Sequence, residues 1–244
     1  MKSKHILKVL PVLSGFFIMG FCDIVGIASD YVQRTFDWSS TMTGFIPSMV
    51  FVWFLFLGIP IGNLMNRWGR KRTVLISMAV TVLGMLLPLV DYTSLTCVAA
   101  FVMLGIGNAI LQVSLNPLLT DVVNGRYVTS ALTAGQVIKA LSSLLGPEFI
   151  LMSIGMFGEA HWYYCFPLMG LVTIVSALWI GVTPIAGTRN AEEGISMADT
   201  FGLLRDSKVL LLFFGIFFIV GVDVSTNYIS SKLMVQRFGW AEVQ

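Results

Sequence analysis

Gly62-Asn63-Leu64-Met65-Asn66-Arg67-Trp68-Gly69-Arg70-Lys71-Arg72 gathers cations and glycines between two long apolar runs, 42–65 and 73–91. Gly69 suits a tight turn, and cations in such a corner can meet helix C-termini and carboxylates. Each flanking run is close to the ~20 residues that a helix needs to cross a bilayer. Outward from this corner the pattern repeats. Apolar runs fall at 8–33, 42–65, 73–91, 95–120, 129–154, 161–183 and 208–234, which predicts seven spans.

Composition agrees with that reading. Apolar residues make up 56% of the chain and charged residues 11%, against about 25% charged in soluble domains. In lipid only helices and closed barrels satisfy their own backbone, and runs without alternation exclude the barrel. The fold class expected is therefore all-α and membrane-spanning. Met1–Lys8 is basic and precedes an apolar stretch, but that stretch exceeds the ~7–15 residues of a signal-peptide core and further spans follow. Cys22, Cys97 and Cys165 all lie inside apolar runs without a CxxC pair, as small buried hydrophobes do.

Basic residues set the orientation. Lys2, Lys4, Lys8, Arg67, Arg70, Lys71, Arg72, Arg126, Arg189, Arg205 and Lys208 fall on one side, and only Arg34, Lys232 and Arg237 on the other. The positive-inside rule then puts the N-terminus cytoplasmic, in the inner membrane if the source is bacterial. Three segments are expected: a six-helix bundle over 1–183, a polar cytoplasmic linker over 184–207, and the first helix of a second bundle over 208–244. A loose internal repeat supports this division. Phe16-Phe17-Ile18-Met19-Gly20 leading to Asp23 is answered by Phe217-Phe218-Ile219-Val220-Gly221 leading to Asp223. Val32-Gln33-Arg34 is likewise answered by Val235-Gln236-Arg237. On this reading the chain stops where further C-terminal helices are expected.

The 62–72 corner resembles the major facilitator signature GxxxDRxGRR, in the loop between the second and third spans. The resemblance implies a gating loop formed by Gly62, Asn66, Arg67, Gly69, Arg70 and Lys71. It also implies paired six-helix halves with nested repeats. Asn66 stands where the pattern has aspartate, which removes one charge. Gly105-Ile106-Gly107-Asn108-Ala109-Ile110-Leu111-Gln112 before Asn116-Pro117, then Ala134-Gly135-Gln136 and Gly146-Pro147, resemble the fucose permease-like branch of sugar:proton symporters. Asp23 falls at that branch's helix-1 aspartate, which the resemblance makes the proton-coupling residue. Gln112 replaces a glutamate and Lys139 an asparagine, so those two roles do not transfer unchanged.

Spacing alone draws attention to the same residues. Asn108, Gln112 and Asn116 recur every fourth position, and Thr129, Thr133, Gln136, Lys139 and Ser143 every third or fourth, one face each. Asp223, Asn227 and Ser230 do the same in the last span. Polar stripes facing lipid are costly, so these faces should line an interior cavity. Asp23, Asn108, Gln112, Asn116, Gln136, Lys139, Asp223 and Asn227 are the expected substrate-binding residues. A lysine at mid-bilayer costs ~2.5–3.5 kcal/mol on insertion scales. Lys139 therefore has three readings: a lock on Asp23 or Asp223, a counter-charge for an anionic solute group, or a proton-trading amine. Gly58 and Gly62 form a GxxxG expected to bring helices close. Trp38, Trp162 and Tyr163 are expected as interfacial anchors.

The leading expectation is proton-coupled symport of a sugar-like solute by alternating access. Its partners would be that solute, the proton and the bilayer, with no cofactor and no nucleic acid. A drug/proton antiporter or a sugar-acid transporter is the alternative within transport. The antiporter pattern has an arginine where Phe101 stands and GPxxGG where Gly146-Pro147 continues as Glu148-Phe149-Ile150. A non-transporting sensor or scaffold is the alternative from another class. An enzyme is disfavoured, because His5 and His161 sit at span ends and no phosphate loop, metal-spaced cluster or nucleophile–base pair occurs.

Overall fold

The computed structural model describes residues 2–185, 200 and 202–238. It is helical, with no strand among the described residues. The chain divides into two units, 1–191 and 192–244. Most of the expected linker, residues 186–199 and 201, lies outside the described residues, as does Arg189.

In the first unit, α1 (Lys2–Gly20) and α2 (Val25–Phe36) are joined by a single 3-10 turn, Phe21–Ile24. Then come α3 (Ser40–Trp68), α4 (Arg70–Val90), α5 (Ser94–Val122), α6 (Val128–Phe157) and α7 (Cys165–Val182). The 3-10 segment Glu159–Tyr164 leads into α7. In the second unit α8 (Ser207–Phe238) is one continuous helix of 32 residues. Six helical segments of the first unit are long and apolar enough to cross a membrane, the first being Leu7–Phe36.

Side-chain caps fix where two of the helices begin. Ser39 caps α3 by accepting the Met42 N–H at 3.2 Å. Thr93 and Thr96 form a reciprocal capping box at the start of α5. Between α3 and α4 the turn is one residue. Gly69 has φ +90° and ψ 143°, its N–H reaches the Met65 carbonyl at 2.8 Å, and its carbonyl accepts the Thr73 N–H at 3.1 Å.

Helix α5 is central and packs on α1, α3 and α4. Its glycines explain how. An added Cβ at Gly105 would sit 2.4 Å from the Val50 carbonyl oxygen on α3, and one at Gly107 would sit 2.1 Å from Thr81 Oγ1 on α4. The G-x-G thus faces two neighbours at once. The GxxxG of α3 differs from expectation: a Cβ at Gly58 or Gly62 would meet nothing within 4 Å, so no other described helix of the first unit is seated there. Most of the apolar surface of α3 and α6 is uncovered, unlike that of α1 and α5.

Trp162 also departs from its expected place. It is 2% exposed, stacked on Tyr31 at 5.1 Å and edge-on to Phe166, so it is a core residue and not an interfacial anchor. Around it Phe36, Tyr92 and Tyr163 complete an aromatic cluster that ties the first span to the α4–α5 loop and the start of α7. All three cysteines are free and buried.

Candidate functional site

The break in the first span places Asp23 on the 3-10 turn, half-buried against α6. There the carboxylate oxygen Oδ2 accepts a hydrogen bond from Ser143 Oγ. The same hydroxyl lies 3.1 Å from the Lys139 carbonyl oxygen, one turn back on α6. Close approach makes this possible. A Cβ at Gly20 would lie 2.5 Å from the Lys139 carbonyl oxygen and 2.6 Å from Ser142 Cβ, so the α1 and α6 backbones touch at this level. Gly135 against the Phe16 ring repeats the contact further along α6.

Lys139 is half-buried on the same face. Among the described residues it forms no ion pair with Asp23; the carboxylate takes the Ser143 hydroxyl instead. Asn108, 4% exposed on α5, lies beside the Cys22 thiol, which is within electrostatic range of both Asp23 and Lys139. Its Nδ2 has no hydrogen-bond partner among the described residues, nor does Asn116 Oδ1. A buried amide without a partner costs free energy, so these donors and acceptors have unused capacity. Gln112 is half-buried one turn from each, and its carbonyl oxygen is 3.5 Å from Asn116 Nδ2.

The structure therefore places Asp23, Lys139 and Asn108 around the Cys22 thiol, and leaves Gln136 exposed on α6. Asp223 is exposed on α8, and the Asn227 side chain lies outside the described residues. Phe101, at the position where the antiporter pattern has arginine, is 1% exposed and packed edge-on to Phe166 at 5.9 Å.

At the 62–72 corner two of the cations have distinct partners. Arg70 Nη1 reaches Asp121 Oδ1 at 2.5 Å and the Pro117 carbonyl oxygen at 3.1 Å, binding the start of α4 to the last turn of α5. Lys71 Nζ donates to the Gly181 and Thr183 carbonyl oxygens, both at 2.8 Å, and so caps α7, where the helix dipole favours a cation. Arg67 and Arg72 are exposed, and Asn66 is half-buried. Asp121 and Ser143 were not among the expected site residues. Ser143 was at least visible in the polar stripe of α6, whereas Asp121 carried no signal beyond its charge.

Several known proteins are similar to this chain. A tetracycline resistance protein, class H, of Pasteurella multocida is 28% identical over 149 residues, which cover 58% of this chain and 35% of that protein. A glucose/galactose transporter of Brucella abortus biovar 1 (strain 9-941) is 24% identical over 224 residues, 87% of this chain and 54% of the relative. A methylenomycin A resistance protein of Streptomyces coelicolor is 28% identical over 191 residues, 77% and 40% respectively. The chain thus spans about half, or less, of the length of these relatives. The sequence profile of the Major Facilitator Superfamily matches residues 12–244, and the chain, with six helical segments long and apolar enough to cross a membrane among its described residues, belongs to that superfamily of transporters.

Proposed function

We propose that the protein takes part in proton-coupled symport of a small sugar-like solute, with Asp23 as the proton-carrying group. The observation that carries this reading is the Asp23 carboxylate, held by Ser143 at the break of the first span beside Lys139 and Asn108. A carboxylate can take up and give back a proton, and the adjacent amides offer hydrogen bonds suited to hydroxyls. The similarity to a glucose/galactose transporter over 87% of the chain supports a sugar-like solute. Residues 1–183 would form one six-helix unit, 184–207 a cytoplasmic linker, and 208–244 the opening of a second bundle. The N-terminus would be cytoplasmic. Lys139 would serve as counter-charge to the site.

A second reading has its own support in the two resistance proteins, each 28% identical to stretches of this chain: the solute would then be a drug, exchanged for protons. The test is proton movement in proteoliposomes on adding neutral hexoses, hexuronates, tetracycline or methylenomycin. External alkalinisation with a neutral hexose, lost in Asp23→Asn, supports symport of sugars. A response only to hexuronates makes Lys139 the solute's counter-charge. Proton release driven by the antibiotics alone would replace the sugar reading with the second one.

A further inference from the structure

At the contact between the first span and α6, one hydrogen has two acceptors. Ser143 Oγ is in hydrogen-bonding range of Asp23 Oδ2 and 3.1 Å from the Lys139 carbonyl oxygen. A serine hydroxyl has a single hydrogen to donate, and its oxygen can accept as well. While Asp23 is ionised its carboxylate is the stronger acceptor and takes that hydrogen. When a proton from the aqueous phase adds to Asp23, an O–H bond forms on the carboxyl and a donor appears where only an acceptor stood. That O–H can donate to Ser143 Oγ, and the serine hydrogen turns to the Lys139 carbonyl. No covalent bond of Ser143 breaks.

We propose that Ser143 is the positioning residue for Asp23, a hydroxyl relay that reports the carboxyl's protonation state to the α6 backbone at Lys139. The proposal rests on the proton-coupled reading above. Its mechanical consequence follows from packing. The Lys139 carbonyl oxygen that gains a hydrogen bond is the atom a Cβ at Gly20 would meet at 2.5 Å, so the change occurs where the two helices touch. Cys22, on the same turn as Asp23, is within electrostatic range of both that carboxylate and Lys139 of α6, while α5 places the uncharged Asn108 beside Cys22. Asp30 lies seven residues further along the first span, two helical turns away. Only Ser143 bonds the carboxylate directly among the described residues.

Infrared difference spectroscopy of the purified protein in lipid, stepped through pH, tests this. The band of the protonated Asp23 carbonyl is identified by its loss in Asp23→Asn. Ser143→Ala removes the acceptor of the carboxyl O–H, so the band should move to higher wavenumber. Ser143→Thr keeps the hydroxyl and should hold the band at its wild-type position. Ser143→Cys, a weaker partner, should fall between them, and it replaces the alanine variant if that protein does not fold. A band that stays in place in both the alanine and cysteine variants overturns the relay while leaving Asp23 as proton carrier. If no band sensitive to Asp23→Asn appears at any pH, the proton-coupled reading fails and the relay fails with it.

Discussion

Gly69→Ala should destabilise the protein by about 1–3 kcal/mol, the usual cost of forcing a side chain into backbone space reserved for glycine. The reason is purely conformational. Gly69 has φ +90°, yet an added Cβ there would meet nothing within 4 Å. Thermal unfolding in detergent measures the loss, and an unchanged midpoint would show that the one-residue turn tolerates substitution. Arg70 invites a different test. Its bond to Asp121 is largely shielded, with side-chain exposures of 21% and 12%. Arg70→Ala should cost about 2 kcal/mol, the scale of a hydrogen bond to a charged partner. Combined with Asp121→Ala, the total should fall short of the sum, because the two variants share the Arg70–Asp121 bond. Strict additivity in the double-mutant cycle would mean that the pair is not coupled. The glycine and the cation were legible in the chain's local chemistry: a turn residue among basic side chains after an apolar run. Their partners were not, since Asp121 is 51 positions from Arg70 and only the packing of α4 on α5 brings the two together.

Two small-residue motifs look alike along the chain and behave oppositely in the helices that carry them. Gly105→Ala should lower the unfolding temperature sharply or abolish recovery of folded protein, because its Cβ would lie 2.4 Å from a backbone oxygen of α3 and neither helix can yield locally. Gly58→Ala, with open space around it, should leave the thermal midpoint nearly unchanged. Equal losses in both variants, read in the same detergent, would contradict the packing described for α5. Sequence periodicity can say that small residues share a helix face, but not which face has a neighbour. The same limit applies to the first span. An apolar run over 8–33 reads as one helix, and only contact with α6 reveals the 3-10 turn at Phe21–Ile24 that presents Asp23. Trp162 was misplaced for a related reason. A tryptophan at a span end suits an interface, but here Tyr31, Thr35 and Phe166 enclose it. Helix existence, by contrast, was open to reading throughout, since bilayer-length apolar runs have few other solutions.

For the whole molecule the decisive question is whether Asp23 couples a proton to movement or merely binds. The two ends of the first unit are pinned by different means, the aromatic cluster around Trp162 at one and Arg70 and Lys71 at the other, while the polar groups gather between them. Such an arrangement lets one group change charge without loosening either end. If Asp23 carries the proton as proposed, linkage requires that its protonation and solute binding favour each other by the same coupling free energy. A proton moving through 100 mV supplies about 2.3 kcal/mol, enough for roughly fifty-fold accumulation of a solute that moves with it. Asp23→Asn is fixed in a neutral form close to the protonated one. It should therefore bind and exchange solute across the membrane but gain nothing from the gradient. In energised proteoliposomes accumulation should fall from about fifty-fold to equilibration, while counterflow of labelled solute against unlabelled solute persists. Loss of counterflow together with accumulation, in protein whose unfolding midpoint is unchanged, would make Asp23 a binding residue and move the coupling role elsewhere. Accumulation that survives the substitution would remove Asp23 from the proton path altogether, leaving its bond to Ser143 as a structural tie between the first span and α6.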